Sequence, residues 1–325
     1  MKKLLDILAL PKQAGDFGIE IEVEGENLPA VDNLYWKTEH DGSLRNGMEY
    51  IFKKPKALKD VPALLRVLNK QFDEAEAKLS FSFRTSVHVH MNVQELTYQQ
   101  ILNTIYTYLL LEAPLINFCG EERKGNRFCL RLEDAEGAME VFNMLFSRGE
   151  RSFREIGQDY VRYASINIEA LRKYGSLEFR AMQGNVDVKR ITTWCTALYN
   201  IREFAKEQES PATIFNLFAK LEAQAFSDKV LKDVSQVFAY PEMVRDMQRS
   251  FSLAIDLPFA YAASVERAKP KQEFDPLAFL DEDLAAPKAI RIEKMFKPIN
   301  PLRPRGDAIA VMPAPMQWEP LGRAV

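Results

Sequence analysis

The chain has 325 residues, 47% hydrophobic and 27% charged, with a formal net charge of −3. That length holds one large domain or two modest ones with an ample core, and that charge supplies no global basic field for nucleic acid or anionic membrane. Three cysteines (Cys119, Cys129 and Cys195), an odd number without C-x-x-C spacing, argue against a disulfide framework or thiolate zinc site; with no apolar run near the roughly 20 residues of a membrane span, a cytoplasmic, soluble protein is expected.

The N-terminal MKKLLDILALPK is basic and apolar, but Asp6 interrupts it, so it reads as a leading helix rather than a signal peptide. Phe17 to Glu24, FGIEIEVE, alternates strictly: Ile19, Ile21 and Val23 fall on one face, and Glu20, Glu22 and Glu24 on the other, about 7 Å apart along the strand. Tyr35 to Glu39, the Asp41-Gly42 turn signal and Met48 to Phe52 read as a hairpin. Ala57 to Leu79 carries apolar residues at helical spacing, with Pro62 in its tolerant first turn.

Leu79 to Val93 is predicted to be one long strand with Arg84, Ser86, His88, His90 and Asn92 on one face. A helix from Thr97 to Cys119 has Thr97 as its N-cap and a kink expected near Pro114. After a loop at Gly120 to Arg127, Asp134 to Phe146 is helical and Arg148 to Gln158 is a charged connection. Arg162 to Ile168 and Ser176 to Ala181 form a second hairpin about a turn at residues 173–175. Residues 187–264 are helical throughout. Nine of the seventeen prolines fall in the last sixty residues, so 266–325 is expected to be an extended Pro-rich tail following a domain at 1–265.

The chemistry-bearing residues are concentrated on strand faces: Glu20 and Glu22, Glu49 after the Asp41-Gly42-Ser43 turn, His88 and His90, and Glu178 with Arg180. Two of only three histidines stand i, i+2 on one strand face. If these strands are neighbours in one antiparallel sheet, the shared face is acidic with imidazole and one guanidinium. Such a face would not stay buried and unpaired, because each desolvated carboxylate costs several kcal/mol. Hard divalent cations are its natural partners, Mg²⁺ among them, and a carboxylate-rich, thiol-poor site argues against structural zinc.

The order G-I-E-x-E, D-G-S-L with G-x-E, S-x-H-V-H, R-Y-x-x-x-N and S-L-E-F-R resembles the amidoligase family, among the glutamine-synthetase-like carboxylate–amine ligases that include the glutamate–cysteine ligases. The resemblance covers residues 16–200. It implies an α+β fold, a curved antiparallel sheet forming a funnel with helices outside and the site on the concave face. It makes Glu20, Glu22, Glu49, His88 and Glu178 the metal ligands, with His88 and Arg180 at the nucleotide phosphates. Arg180, His88 and Glu49 are then the catalytic set, and His90, Asn167, Arg162 and Arg127 shape the nucleotide or substrate pocket. One departure stands out: Lys53-Lys54-Pro55 occupies a stretch where the family has a small hydroxyl residue before the proline.

The implied activity is ATP-dependent formation of an amide bond through an acyl phosphate, with Mg²⁺ or Mn²⁺ and with a small-molecule or peptide carboxylate and an amine as substrates. Two alternatives stand beside it: another metal-dependent phosphate chemistry on the same face, or a non-catalytic binding or assembly module working through its tail. The tail would then mediate homo-oligomerisation or partner docking. Local Lys/Arg runs read as solvated faces rather than a nucleic-acid surface.

Overall fold

In a computed structural model, residues 1–134, 137–156 and 163–268 are described, all within one compact unit, Met1–Asp281. A short helix α1 (Leu4–Leu8) precedes the strand β1 (Phe17–Glu26), and the hairpin is β2 (Trp36–Glu39) with β3 (Gly47–Phe52). Helix α2 (Val61–Glu74) leads to β4 (Lys78–Ser80) and β5 (Ser86–Asn92), then to the long α3 (Tyr98–Cys119). Helices α4 (Ala138–Arg148) and α5 (Ser152–Glu155) follow, then β6 (Ile166–Asn167), α6 (Ala170–Tyr174) and β7 (Ser176–Gln183). The chain continues as α7 (Val188–Lys206), α8 (Pro211–Leu231) and α9 (Met243–Ala268).

All seven strands join one antiparallel sheet in the order β2-β3-β1-β5-β7-β6, with β4 on the far end of β1. The expected mixture of helix and antiparallel sheet is present. The sheet is not closed, however: β2 and β6 stand at its two edges.

Strand alternation divides the sheet into two unlike faces. Ile19, Ile21, Val23, Val87, Val89 and Phe179 point one way and are wholly buried. Helices α2, α3 and α7 cover that side: Trp36 donates its indole N–H to the Leu64 carbonyl at 2.9 Å, the Tyr50 ring meets Phe72 edge-on, and Phe179 packs against Tyr108 and Trp194. Helix α3 is apolar almost all round and is buried along nearly its whole length, as such a helix must be. Thr97 caps it in a reciprocal box: its hydroxyl accepts from the Gln100 N–H while the Gln100 side chain accepts from the Thr97 N–H. The helix runs on through Pro114.

Two strand expectations are corrected. Leu79 to Val93 is not one strand, because residues 81–85 turn sharply. The Thr85 N–H donates to the Ser82 carbonyl, the Ser82 N–H to Thr85 Oγ1, and the Thr85 hydroxyl to the Ser82 carbonyl. Local hydroxyl-to-backbone bonds of this kind compete with a ladder, and here they separate β4, paired to Glu24–Glu26, from β5, paired to Phe17–Ile21. The second hairpin shrinks likewise. Its first strand is only Ile166–Asn167, and the one-turn helix α6 fills the connection, closed by Gly175 at φ 67°. Residues beyond 268, which include most of the Pro-rich tail, lie outside the described residues, as does Arg162.

Candidate functional site

The polar face of the sheet gathers residues from six strands. In register, Glu22 faces Glu49, which faces Glu39; Glu20 faces His88; and His90 faces both Gly18 and Glu178, which in turn faces Asn167. Residues directly opposite in an antiparallel pair are about 5 Å apart at Cβ, so the register alone concentrates the carboxylates and imidazoles.

The side chains close the remaining distance. His90 Nε2 lies 3.3 Å from Glu20 Oε1; His88 Nδ1 lies 3.5 Å from Glu20 Oε2 and 3.7 Å from Glu178 Oε1. Arg180 donates from Nη1 to Glu178 Oε1 at 2.5 Å, and Asn167 donates to Glu178 Oε2 at 2.7 Å. His90 Nδ1 bonds Ser176 Oγ at 3.1 Å. Two triplets of ligand atoms, Glu20–Glu49–His88 and Glu20–His90–Glu178, each fall within 4.8 Å of one another. Glu20 is common to both.

Ser86 ties down the far side of His88. Its hydroxyl donates to Glu22 Oε2 at 2.5 Å and lies 2.6 Å from His88 Nε2. With its one hydrogen directed at a carboxylate, the hydroxyl must accept from His88, which puts a proton on Nε2. Nδ1 then faces the carboxylates of Glu20 and Glu178. Glu22, through Ser86, thus orients the imidazole. The third carboxylate of β1, Glu24, faces elsewhere in purpose: it accepts from the Arg45 N–H at 2.7 Å and so secures the loop that presents β3.

Electrostatics follow from this packing. Burial would raise the Glu20 carboxyl, but hydrogen bonds from His88 and His90 hold it well below the ordinary range. Glu178 behaves likewise: burial opposes, while His90, Arg180 and His88 bring it down. Burial would lower His90, yet Glu20 and Glu178 raise it. Glu49 goes the other way. Burial, together with repulsion from Glu20 and Glu22, pushes it up to about 9.

A β-bulge aims Arg180. From Val87 to Val89 strand β5 advances two residues, whereas its partner positions Met182 and Phe179 are three apart, so β7 carries the extra residue at Arg180–Ala181. Plain alternation from Glu178 would put Met182 on the polar face; the bulge returns it to the core, where it is wholly buried. The carbonyls the bulge releases are satisfied by Arg123, buried to 1% exposure, which donates from Nε to the Ala181 carbonyl at 3.1 Å and from Nη2 to the Arg180 carbonyl at 2.8 Å.

Ser86 was visible in the sequence as a face residue without a role, and Arg123 sits in a loop with no pattern to distinguish it. Arg127, by contrast, is not drawn into the cluster: it is exposed, with its guanidinium over the Phe128 ring at 4.8 Å. Beside the cluster opens a cavity of about 620 Å³, with Glu20, Glu49 and His90 among its lining residues.

A protein-family model described as "Putative amidoligase enzyme" matches residues 51–200. The amidoligase match takes in His88, His90, Asn167, Glu178 and Arg180; Glu20, Glu22 and Glu49 lie outside it and reach the same face through the register of β1 and β3. None of the curated proteins compared matches the chain. Among the described residues, no helix is long and apolar enough to cross a membrane.

Proposed function

We propose that this face joins a carboxylate to an amine in a reaction driven by ATP, with Mg²⁺ or Mn²⁺ held by the carboxylate–imidazole cluster. The family match supports a ligase-like enzyme. The finer reading is carried by one observation: two triplets of carboxylate and imidazole donors meet at Glu20 on a partly buried sheet face.

The residues present suit a divalent cation and a phosphate. Glu20, Glu49 and His88 would hold one ion, and Glu20, His90 and Glu178 a second; the imidazoles make Mn²⁺ as suitable as Mg²⁺. When bound, the ions supply positive charge to phosphate oxygens. Arg180 Nε is buried without a hydrogen-bond partner while Nη1 is fixed by Glu178. A buried guanidinium N–H left open in this way fits an anionic oxygen.

In the reaction, a carboxylate oxygen of the substrate attacks the γ-phosphorus, the bond to ADP breaks, and an acyl phosphate forms. The amine nitrogen then attacks the acyl carbon, phosphate leaves, and the nitrogen gives up a proton. The chain's own part is to orient the reactants and offset charge: Arg180 toward the transferring group, Ser86 and Glu22 by fixing the His88 ring, Asn167 by holding Glu178. No protein nucleophile is needed. The three cysteines are buried, and burial raises each thiol, which suits packing rather than catalysis.

The test is release of ADP and phosphate by the purified protein with Mg²⁺ or Mn²⁺ across carboxylates and amines, with Glu20→Gln and Glu178→Gln beside it. Turnover that requires both a carboxylate and an amine and disappears in the variants is the expected result. Turnover without an amine, untouched by those substitutions, would indicate another phosphate chemistry; no nucleotide binding at all would leave a non-catalytic module.

A further inference from the structure

Two buried ionisable side chains stand outside the carboxylate–imidazole cluster, yet both bear on one peptide beside it. Arg123, in the loop after α3, is 1% exposed, and Glu112, within α3, is 4% exposed. An ionisable group sunk this far into the interior costs several kcal/mol when left unpaired, so its hydrogen bonds identify the backbone it serves.

Those bonds converge on Arg180 from opposite sides. On one side the Arg180 carbonyl accepts from Arg123 Nη2 at 2.8 Å, and the Ala181 carbonyl from Arg123 Nε at 3.1 Å. On the other, the Arg180 N–H donates to the Ser165 carbonyl at 2.9 Å. Ser165 is fixed in turn: its hydroxyl donates to Glu112 Oε1, and its N–H to the Leu130 carbonyl at 2.7 Å. The same Glu112 oxygen accepts the Leu132 N–H at 3.0 Å, so one carboxylate holds Ser165 and the stretch bridged to it at Leu130–Ala164. Arg123 is itself anchored. Its Nη1 lies 3.5 Å from the Phe83 carbonyl, to which Asn126 Nδ2 of the same loop donates at 2.9 Å.

A bulge is a local choice between two registers. Without donors at the Arg180 and Ala181 carbonyls, two buried acceptors lose their partners, and a slip that closes the bulge turns Met182 toward the polar face. Arg180 turns with its peptide. Lysine supplies the charge of Arg123 but not its fork, and a single ammonium does not reproduce the planar grip on two successive carbonyls.

We propose that Arg123 and Glu112 are positioning residues that bracket the bulged Arg180 peptide and so set the aim of the Arg180 guanidinium at the reacting group. The role rests on the ligase reading for the reaction in which Arg180 serves; the bracket itself does not.

The experiment is a double-mutant cycle on ADP release with Mg²⁺, a carboxylate and an amine. Arg123→Lys is expected to lower kcat about 10- to 100-fold, the range for an outer group that orients a site residue, with KM for ATP little moved. Arg180→Lys lowers kcat as well, and adding Arg123→Lys to it should cost no further factor, because the residue it acts through is already replaced. Losses that multiply in the double variant would overturn the proposal, and so would an unchanged kcat in Arg123→Lys. Glu112→Leu should lose part of kcat, and Glu112→Gln, which keeps an acceptor for Ser165 and Leu132, should recover it; a Glu112→Leu no slower than Glu112→Gln would take Glu112 out of the bracket. Ser165→Ala, which deletes one hydroxyl, carries the same cycle should Arg123→Lys fail to fold.

A second readout needs no turnover. Amide hydrogen exchange followed by mass spectrometry should quicken across residues 178–183 in Arg123→Lys while α2 and α7 exchange at the parent rate, and equal exchange at 178–183 also overturns the proposal. Failure of the ligase reading looks different: the parent releases no ADP with any acid and amine, while the exchange difference at 178–183 persists.

Discussion

The two faces of the one sheet are built from alternate residues of the same strands, yet they are held together by different physics. On the covered face, Ile21, Val89 and Phe179 satisfy one another by exclusion of water, and every neighbour adds to the effect. On the polar face, Glu20, Glu22, Glu49 and Glu178 would repel one another, and His88, His90, Arg180 and Ser86 balance them only in part. The first face is complete by itself. The second gathers four carboxylates against two imidazoles and one guanidinium, an imbalance that marks it as the candidate site.

Substitutions on either side should separate stability from function. The largest effect is expected from Phe179→Ala on the covered face, a loss of about 3–5 kcal/mol in unfolding free energy; a urea midpoint close to that of the parent would show the core less interlocked than its contacts with Tyr108 and Trp194 indicate. Opposite in kind, Glu20→Gln should lower the midpoint far less than Phe179→Ala while cutting turnover by roughly 10² to 10³-fold, the range for loss of a charge-stabilising group. Equal turnover in Glu20→Gln and parent would remove Glu20 from the centre of the site.

Ser86→Ala sharpens the contrast further. It deletes one oxygen that touches no core residue of the far face, and it should weaken Mn²⁺ binding by about 10- to 100-fold, as loss of a ligand-orienting group does. Titration followed by the electron spin resonance of free Mn²⁺ reads this directly, and an unchanged affinity would mean that the His88 ring is fixed without the hydroxyl.

The smallest effect is a slope. Glu49 stands at about 9 in the folded chain against 4.5 when free, so between those values the folded state binds more protons than the unfolded one, and stability through this group falls as pH rises. In chelator, melting temperature should decline from pH 7 to pH 9, less so in Glu49→Gln, and Mg²⁺ should offset the decline. Identical pH profiles for parent and variant would show that Glu49 does not feel Glu20 and Glu22.

Much of the site could be read from letters. The alternation of Ile19, Ile21 and Val23 with Glu20 and Glu22 determined which way each would face, because side chains on a strand alternate strictly. His88 and His90 two apart, and Glu178 with Arg180, could be assigned to strand faces for the same reason, and the residues matched by the amidoligase model were legible as a family pattern in chain order. Helix α3 announced its cap at Thr97.

Other features depended on partners distant in the chain. The break at 81–85 arises because β4 and β5 pair with opposite ends of β1, and the hydroxyl bonds of Ser82 and Thr85 stabilise the turn between them. The bulge that sends Met182 inward is supported by Arg123, more than fifty residues earlier, and no local period encodes that arrangement. The proton on His88 Nε2 follows from Ser86 meeting Glu22 across strands.

Taken alone, the sequence determined the faces, the cap and the residue types of the site, since periodicity and composition act within a few residues along the chain. Only the tertiary structure decided register, the bulge and the orientation of His88, since each of these is a balance of charge and hydrogen bonding among groups that meet only when the sheet has formed.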